Sequence, residues 1–567
     1  MAQTAPAPSD RDLTSIQEAR TLAARAKRAA PALAEFTQAQ IDAIVDAMAA
    51  AARARAEEFA RLAVEETGYG VVADKIQKNL FSSDRVHEFI KPIKTVGVVG
   101  RDEARKVVDI AEPFGVVAAI VPSTNPTSTA IYKILIAVKA RCPIVLSPHP
   151  SAARCITRVA EVMGEAARGA GSPDGAINWM QTVTLEGTQE LMKHRDVAVI
   201  LATGGMGLVR AAYSAGKPAY GVGPGNAPCF IERTADVAKA ASDIIIGKTF
   251  DNGVLCSSPN SVVVESAVAD EARREFERQG AYFLKPAEAE ALAKILVSPQ
   301  RLPNPKLVGK SAEFIAAQAG ITMPAGTRAL IAPLTGVGRD FPLSIEKLCP
   351  VLSYYVVADW REGCERCIQI LRYGGMGHTM SIHSRNEPVI LEFGLKKPAF
   401  RICVNTPTTH GSIGLTTGLD PAMTLGCGGF GGNITSDNIT PRHLLNIKRL
   451  AYELRPAVSR EARATKPQAA AATAGEPARL PQAPVAPVEP GLAAQAVSRQ
   501  IESRVGAGSG AGPAENPGAV DFVCEEDVRK AIRAGQRITV HSRTIVTPAA
   551  RDLATTHHVL VEPGWPR

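Results

Sequence analysis

Cys256 is the residue of this chain best placed to act as a nucleophile. It lies in residues 250–261 (FDNGVLCSSPNS), after a glycine-containing turn and between a helical stretch and an apolar strand. A thiolate in such a turn can attack a substrate that enters between two domains. By itself the same pattern is equally typical of an inert buried cysteine, so the neighbouring motifs decide between the two interpretations.

Two further residues have side chains suited to carbonyl chemistry. Asn125, in residues 121–128 (VPSTNPTS), offers a neutral amide donor to an oxyanion, although an Asn before a Pro is also a common turn residue. His378, in residues 374–380 (GGMGHTM), can move a proton or contact a co-substrate, and can equally serve local hydrogen bonding alone.

Three other groups of residues are interpreted as structural. Residues 221–225 (GVGPG) resemble a dinucleotide-binding fingerprint, but their proline and their position between two α/β regions favour a turn. Cys364 and Cys367 form a CxxC pair with no second ligand pair nearby, so packing is favoured over redox or metal chemistry, and no metal is expected. Cys349 and Cys427 are also expected to be structural.

Length and composition place these residues in a folded, multidomain chain. The 567 residues are 46% hydrophobic and 21% charged, enough to bury sizeable cores. At roughly 150 residues per domain, the length predicts about four domains. With no apolar signal region, no membrane-length run and ten scattered cysteines, we expect a protein of the reducing cytoplasm. The net charge of +8 suits an anionic substrate or cofactor, without the clustered pattern of a nucleic-acid module.

An α/β architecture is predicted to position the candidate residues. Apolar residues at helical spacing from Ile41 to Leu62 predict one long amphipathic helix ending at Gly68, followed by a strand at 106–111. From Gly115 onward, apolar runs alternate with helical stretches, which is typical of a parallel sheet covered on both faces. The predicted strands are 116–121, 143–147, 176–179 and 197–201, with helices starting after Ser128, Ser151 and Gly205.

A second α/β region and a C-terminal extension follow. Residues 226–427 contain a predicted helix at 236–250 and strands at 261–264 and 351–357. Residues 453–521 have no aromatic residue and are rich in Ala, Pro and Gly, which predicts a disordered linker. Within it, the apolar residues of 491–505 recur every four positions and predict a short docking helix. Residues 520–567 predict a small module with a helix ending at Gly535 and strands at 537–540 and 544–546.

Six ordered motifs resemble those of the aldehyde dehydrogenase superfamily, and more narrowly those of its coenzyme A-acylating branch. They are residues 112–117 (EPFGVV), 122–129 (PSTNPTST), 147–150 (SPHP), 250–256 (FDNGVLC), 346–351 (EKLCPV) and 424–429 (TLGCGG). The resemblance implies an α/β aldehyde dehydrogenase fold. Residues 1–225 would form N-terminal helices and a Rossmann-like NAD-binding domain with an oligomerisation strand at about 104–112, residues 226–430 the catalytic domain, and residues 431–455 an oligomerisation segment that belongs with a β-flap. Residues 456–519 would be the linker and 520–567 the small module.

The resemblance also implies roles for individual residues. Cys256 would be the nucleophile, and Asn125 with the backbone N–H of Cys256 the oxyanion hole. His378 is a further catalytic candidate on the grounds of its own residue type. NAD is the implied cofactor. The residues implied to bind it are Pro122, Thr124, Ser147, His149, Thr203, Gly204, Gly207, Gly223 and Glu346. Glu346 would hold the nicotinamide ribose hydroxyls, whereas Ser147 and His149 occupy a stretch in which the family usually has a lysine.

One departure from the hydrolytic members of the superfamily indicates the product. Those enzymes carry a glutamate before a Gly-Gly pair, and it activates the water that cleaves the acyl-cysteine. This chain has Gly221 there, in residues 220–226 (YGVGPGN), and a glycine cannot act as a general base. A thiol is a better nucleophile than unassisted water, so we expect coenzyme A as co-substrate and conversion of a short aldehyde to acyl-CoA with formation of NADH.

The C-terminal module resembles a short segment of proteins from ethanolamine-type and related bacterial microcompartments. The similarity covers residues 523–535 (VCEEDVRKAIRAG) and 544–553 (TIVTPAARDL). A tether with an amphipathic helix is also similar to the encapsulation peptides that recruit enzymes to microcompartment shells. Residues 456–567 are therefore expected to contact shell proteins and place the protein in a microcompartment lumen, with a disordered tail as the alternative.

Several alternatives stay open at this point. A non-acylating dehydrogenase would release the free acid, and a non-catalytic scaffold would use the fold to collect cargo. The resemblance implies a homodimer or homotetramer. Acetaldehyde, propionaldehyde, sulfoacetaldehyde and an amino-aldehyde are all compatible with the residues named above.

Overall fold

Two compact units make up the chain, and the computed structural model describes residues 10–457 and 520–561. The first unit extends over Met1–Ala483 and the second over Pro484–Arg567. The predicted docking helix at 491–505 lies outside the described residues. Within the two described ranges, no helix has both the length and the apolar character needed to cross a bilayer.

Five helices and two strands begin the first unit, and from β3 onward helices and strands largely alternate, as the apolar pattern predicts. The helices are α1 (Asp10–Ala34), α2 (Gln38–Ala54), α3 (Ala56–Thr67), α4 (Val72–Leu80), α5 (Val86–Ile90), α6 (Pro126–Lys139), α7 (Ala153–Gly169), α8 (Leu185–Lys193), α9 (Met206–Tyr213), α10 (Val237–Thr249), α11 (Ala269–Arg278), α12 (Pro286–Leu296), α13 (Ala312–Gln318), α14 (Trp360–Tyr373), α15 (Glu387–Lys396) and α16 (Thr408–Ser412). The strands are β1 (Gly97–Asp102), β2 (Val107–Pro113), β3 (Val116–Val121), β4 (Ile144–Pro148), β5 (Ile177–Trp179), β6 (Val197–Thr203), β7 (Ala219–Val222), β8 (Ala227–Ile231), β9 (Pro259–Glu265), β10 (Ala281–Phe283), β11 (Ala329–Pro333), β12 (Val351–Val357), β13 (Gly377–His383), β14 (Ala399–Val404) and β15 (Leu445–Ala451).

The predicted cofactor region folds around a five-stranded parallel sheet of order β5-β4-β3-β6-β7. Every residue of β3 and β4 is buried, because helices cover both faces of the sheet. The chain builds β4 and β5 on one side of β3 and then returns to place β6 and β7 on the other. In sheets of this kind, ligands bind outside the carboxyl ends of the strands where the order reverses, here between β3 and β6.

A seven-stranded parallel sheet of order β10-β11-β12-β9-β8-β13-β14 forms the second α/β region. Successive residues of β8 enter different cores, since side chains alternate between the faces of a strand. Cys229 and Ile231 pack with α10 and α11, whereas Phe230 packs with α14 and α15. Strands β8 and β9 lie near the middle of this sheet, so the turn that carries Cys256 enters a rigid element.

A small antiparallel sheet of order β1-β2-β15 contains the strand predicted at 106–111, observed as β2 (Val107–Pro113). Strand β15 is an edge of this sheet, and its side chains are mostly exposed. Ile447 and Leu450 are among the exposed large apolar residues of this strand.

The prediction of one long helix ending at Gly68 is wrong, because α2 and α3 are separate helices. Arg55, between them, has φ −113° and ψ 13°, outside helical geometry. Both helices pack against α7, so their apolar faces point to the same core, and the periodicity continues across the break. The end of the segment is confirmed, since Gly68 caps α3 with φ 66°.

The second unit, over its described residues, is a small α/β module. It contains β16 (Val520–Val523), α17 (Glu525–Ala534), β17 (Ile538–Val546), α18 (Pro548–His557) and β18 (Leu560–Val561), with β17 between parallel neighbours. The predicted helix ending at Gly535 is confirmed. The two strands predicted at 537–540 and 544–546 are one strand, because a register shift in its pairing with β16 takes up the polar residues between them.

Candidate active site

Cys256 lies in the turn between α10 and β9, three residues before the strand begins, and it is partly exposed. The backbone before it is unusual. Asp251 and Asn252 both have left-handed conformations, with φ of 51° and 53°. Non-glycine residues adopt this region at a cost of about 1–3 kcal/mol each and cluster at functional sites. The surroundings that fix this conformation therefore also fix the position of Cys256.

The environment of Cys256 keeps its thiol protonated. Burial raises the pKa of the Cys256 thiol to about 12, and the charges of Glu346 and Cys427 raise it further, whereas Arg401 lowers it. Thiolate formation therefore depends on a change of this environment.

Gly225 brings three candidate residues together. A Cβ placed on Gly225 would lie 2.2 Å from the carbonyl oxygen of Cys256 and 3.1 Å from Cγ of His378. The backbone N–H of Gly225 donates a 2.9 Å hydrogen bond to Oε1 of Glu346. The sequence-predicted residues Cys256, His378 and Glu346 thus surround one glycine, which sequence reasoning placed in a purely structural turn.

Glu346 and His378 are both shifted toward their neutral forms. Burial raises the pKa of Glu346 to about 8, with Gly225, Lys248 and Lys347 opposing the shift. Burial, followed by the positive charge of Arg401, lowers the pKa of His378 to about 3. Nδ1 of His378 lies 2.9 Å from the hydroxyl of Thr379, and Nε2 is buried with no hydrogen-bond partner in the part of the chain that the structure describes. A neutral imidazole with one unsatisfied nitrogen is suited to a hydrogen bond with a bound substrate.

Asn125 occupies the position before α6, directly after β3, and it is 9% exposed. Its Oδ1 accepts a 2.7 Å hydrogen bond from Nζ of Lys78, and its Nδ2 donates to the hydroxyl of Thr124 at 3.2 Å. Lys78 also forms a buried ion pair with Asp251. This contact connects the segment of Asn125 to the segment of Cys256, because Asp251 lies five residues before the cysteine.

Lys78 and Arg401 are site residues that sequence reasoning missed. Lys78 lies on α4, and burial lowers its pKa to about 8, with Asp251 opposing the shift. Arg401, on β14, donates to the carbonyl of Ser436 at 3.0 Å and interacts electrostatically with Cys256. Neither residue belongs to a motif, and each meets the site only through the fold. Asp251 belongs to the motif that contains Cys256, but its partners are more than 170 positions away.

The predicted cofactor residues after β3 and β6 converge where the strand order reverses. Pro122 and Thr124 follow β3, Thr203 ends β6, and Gly204 and Gly207 flank the start of α9. The hydroxyl of Thr203 is buried with no hydrogen-bond partner within the described residues. An unsatisfied hydroxyl beside the N-terminus of a helix fits the phosphates and ribose of a dinucleotide.

Three other predicted cofactor residues differ in their placement. Ser147 has no exposed surface, and its hydroxyl lies 2.8 Å from that of Thr188. His149 is exposed, and its Nδ1 accepts a 3.2 Å hydrogen bond from the backbone N–H of Ser151. Gly223 lies next to the site, because its backbone hydrogen-bonds to Cys427. The structure therefore places Gly223 beside Cys427 and does not expose Ser147 to a ligand.

The position that faces Cys256 in residues 220–226 is Gly225 rather than Gly221. Gly221 lies on β7, and a Cβ on it would meet the hydroxyl of Tyr213 at 2.7 Å and Cγ1 of Val209 at 2.8 Å, both on α9. A side chain at Gly221 would thus point into a packed helix. This stretch provides no carboxylate to the cysteine, because Gly225 is the position that faces Cys256 and no side chain fits there.

The four cysteines predicted to be structural are all buried. Cys364 and Cys367 are buried on α14, and the thiol of Cys364 contacts the ammonium of Lys397. Cys349 is buried, and Cys427 is buried with its thiol donating to the carbonyl of Leu425 at 3.5 Å.

The chain is similar to known proteins over most of its length. The model of the aldehyde dehydrogenase family matches residues 11–283. The bifunctional aldehyde-alcohol dehydrogenase of Escherichia coli K12 is 42% identical over 444 residues, which are 77% of this chain and 50% of that protein. The chain thus spans about half the length of the aldehyde-alcohol dehydrogenases that it matches.

Two solved structures extend the similarity to the fold. An acetylating aldehyde dehydrogenase from Geobacillus thermoglucosidasius is 50% identical with a TM-score of 0.78, and the match covers 80% of this chain and 100% of that one. A propionaldehyde dehydrogenase from the fucose utilisation bacterial microcompartment of Clostridium phytofermentans is 28% identical with a TM-score of 0.68, covering 76% of this chain and 96% of that one.

Proposed function

Because the chain belongs to the acetylating aldehyde dehydrogenase family, we propose that it oxidises a short aldehyde and transfers the acyl group from Cys256 to coenzyme A, with NAD as the electron acceptor. NAD, when bound, accepts the hydride. The remaining chemistry belongs to the side chains and backbone groups around Cys256.

Cys256 attacks the aldehyde carbonyl as a thiolate, and the amide of Asn125 stabilises the resulting thiohemiacetal oxyanion together with the backbone N–H of Cys256. The neutral imidazole of His378 hydrogen-bonds to the reacting group through Nε2, which has no partner within the described residues. After hydride loss an acyl-cysteine remains. The coenzyme A thiolate then attacks this thioester, so that acyl-CoA leaves and the Cys256 thiolate is regenerated.

The observation that carries the proposal is the contact between Gly225 and Cys256. A Cβ at Gly225 would overlap the backbone carbonyl of Cys256, so position 225 provides no side chain that could activate water beside the acyl-cysteine. An acyl-cysteine without a general base hydrolyses slowly, whereas a thiol can take over the acyl group directly. The experiment is a burst assay. Aldehyde and NAD without coenzyme A are expected to yield about one NADH per active site, with continuous turnover starting on addition of coenzyme A.

Glu346 favours a second candidate, a non-acylating dehydrogenase that releases the free acid. Its carboxyl interacts with the Cys256 thiol and has a pKa raised to about 8, which is suited to a general base. Its hydrogen bond to the N–H of Gly225, and its implied contact with the nicotinamide ribose, oppose this role. Continuous NADH formation without coenzyme A that is lost in Glu346→Gln would favour hydrolysis.

A third alternative is a cargo scaffold without catalytic activity. A scaffold would retain the fold for binding alone, and turnover would be absent. NADH formation by the purified protein that disappears in Cys256→Ala would exclude the scaffold. The aldehyde itself is to be identified with a kinetic panel of acetaldehyde, propionaldehyde, sulfoacetaldehyde and an amino-aldehyde.

We also propose that the first unit self-associates through the unpaired edge strands of its sheets. Strand β14 is an edge of the seven-stranded sheet, and β15 is an edge of the three-stranded sheet. Both carry exposed apolar residues, including Phe400 and Leu450. Pairing of β15 with β14 of a second copy would satisfy both edges and give a homodimer or homotetramer. Sedimentation of Leu450→Asp as a monomer, with the native protein as an oligomer, is the expected result.

Residues 456–567 are proposed to bring the enzyme into a bacterial microcompartment through contact with shell proteins. The similarity of residues 523–535 and 544–553 to microcompartment proteins supports this location. So does the origin of one structural relative, a microcompartment propionaldehyde dehydrogenase. Loss of co-purification with shell proteins after removal of these residues is the expected result.

A further inference from the structure

We propose that Lys78 is a positioning residue for the oxyanion hole, which holds Asn125 in the orientation that donates to the oxyanion and ties it to the segment that carries Cys256. The inference rests on the proposed function of Asn125. It assigns a role to a helix, α4, that contributes no atom to the reacting groups.

Lys78 determines the orientation of the Asn125 amide. An asparagine amide has an acceptor end and a donor end, and only the donor end stabilises an oxyanion. Nζ of Lys78 donates to Oδ1 of Asn125 at 2.7 Å, and an ammonium group can only donate. Oδ1 is therefore held toward the lysine and Nδ2 away from it. Rotation of the amide by 180° would place an NH₂ group against the ammonium, so this rotation is disfavoured.

Lys78 also contacts Asp251, in the segment that carries the nucleophile Cys256. Oδ2 of Asp251 accepts hydrogen bonds from Lys78 and, at 3.0 Å, from Lys75. Oδ1 of Asp251 accepts from the backbone N–H of Val71 at 2.7 Å, and the N–H of Asp251 donates to Asp74 at 2.7 Å. These contacts all come from α4 or the residue before it. They hold Asp251 in its left-handed conformation five residues before Cys256.

The spacing of three charged residues on α4 allows all of them to contact Asp251. Asp74, Lys75 and Lys78 lie within four positions, so one face of a rigid helix presents all three side chains to Asp251. Lys75, Lys78 and Asp251 have almost no exposed surface. A buried charge persists only when it is paired, and each contact of Lys78 is directed at a segment that carries a catalytic group. Lys78 thus sets the distance between the donor amide and the nucleophile.

A double-mutant cycle between Lys78 and Asn125 tests this assignment, with NADH formation as the readout. Lys78→Met is expected to lower kcat by about 10- to 100-fold with a change in KM for the aldehyde below about threefold, because the oxyanion interaction is made in the transition state. In an Asn125→Ala background, Lys78→Met is expected to lower kcat by less than about threefold, since the amide that it orients is absent. A merely structural lysine would lower kcat by the same factor in both backgrounds, and that result would overturn the assignment, as would a native kcat in Lys78→Met.

Lys139→Met is the matched control. Lys139 is also fully buried, and its Nζ is paired with Asp42 at 2.5 Å. It lies at the other end of α6, roughly 20 Å from Asn125 at 1.5 Å per helical residue. Its loss is expected to change thermal stability but not kcat. Where Lys78→Met does not fold, Lys78→Leu replaces it in the same cycle, since leucine also has no donor for Asn125 and fills part of the same volume. A cycle that shows coupling supports the role of Lys78 even if NADH forms without coenzyme A, which would refute only the acyl acceptor.

Discussion

The backbone of Gly225 lies so close to Cys256 that an added Cβ would come within 2.2 Å of the cysteine carbonyl oxygen. The same glycine donates its N–H to Glu346. Any side chain here must displace the backbone of Cys256 or the ring of His378. This contact explains why the position that faces the cysteine is a glycine in this chain.

Gly225→Ala is therefore expected to lower kcat by at least about tenfold, because the turn that carries Cys256 has to move by an ångström or more. Steady-state NADH formation measures the effect, and circular dichroism confirms the fold. Gly394→Ala is the control, since Gly394 lies on α15 with open space around its Cα. Equal kcat values for Gly225→Ala and the native enzyme would contradict the geometry.

Asn125→Ala is expected to lower kcat by about 10²–10³-fold with a small change in KM, which is the typical effect of losing one oxyanion donor in other enzymes. The reason is that its amide interacts with charge that develops only during the reaction. Alkylation of Cys256 by iodoacetamide generates no oxyanion, so its rate is expected to stay within about twofold of native. A parallel fall of both rates would assign Asn125 to the shape of the cysteine turn.

Glu346→Gln is expected to accelerate alkylation of Cys256 at high pH. Burial raises the pKa of Glu346 to about 8, so the carboxyl is mostly neutral at pH 7 and mostly charged at pH 9. The charged carboxylate raises the pKa of the Cys256 thiol and lowers its thiolate fraction. The variant lacks this charge, so the ratio of variant to native rates is expected to be near one at pH 7 and about two- to tenfold at pH 9.

Peptide mass spectrometry separates alkylation of Cys256 from that of other thiols such as Cys524, which is partly exposed. Glu313→Gln is the matched control, because Glu313 is an exposed carboxylate on α13. A rate ratio that does not change between pH 7 and pH 9 would show that Glu346 does not act on the thiol.

Removal of residues 458–567 is expected to leave kcat and KM within about twofold of native. The residues of the candidate site all belong to the first unit, and the second unit has its own apolar core around Val523 and Val528. The same truncation is expected to abolish co-purification with microcompartment shell proteins. Retained co-purification would assign shell contact to the first unit.

The sequence predicts strands better than it predicts breaks. Strand β3 is observed at its predicted bounds, since a strand buried on both faces leaves an uninterrupted apolar run. The break at Arg55 has no such signal, because one residue leaves its helical conformation while the apolar faces on either side stay aligned. The polar residues within β17 led to the opposite error. They predicted a break between two strands, whereas a bulge keeps them within one strand.

The candidate site divides in the same way. Cys256, Asn125 and Glu346 lie in motifs that a resemblance can identify one by one. The contact of Lys78 with Asp251 joins residues 173 positions apart, and no local pattern encodes it. Ser147 is in a motif, yet its hydroxyl is used by Thr188, because a motif gives the position of a residue and not the direction of its side chain.

Steady-state NADH formation with and without coenzyme A, combined with identification of the product by mass spectrometry, tests the proposed reaction most directly. With a short aldehyde and NAD, the native enzyme is expected to turn over continuously only when coenzyme A is present, to release acyl-CoA, and to lose all turnover in Cys256→Ala. Continuous NADH formation at the same rate without coenzyme A, with the free acid as product, would contradict acyl transfer from Cys256 to coenzyme A.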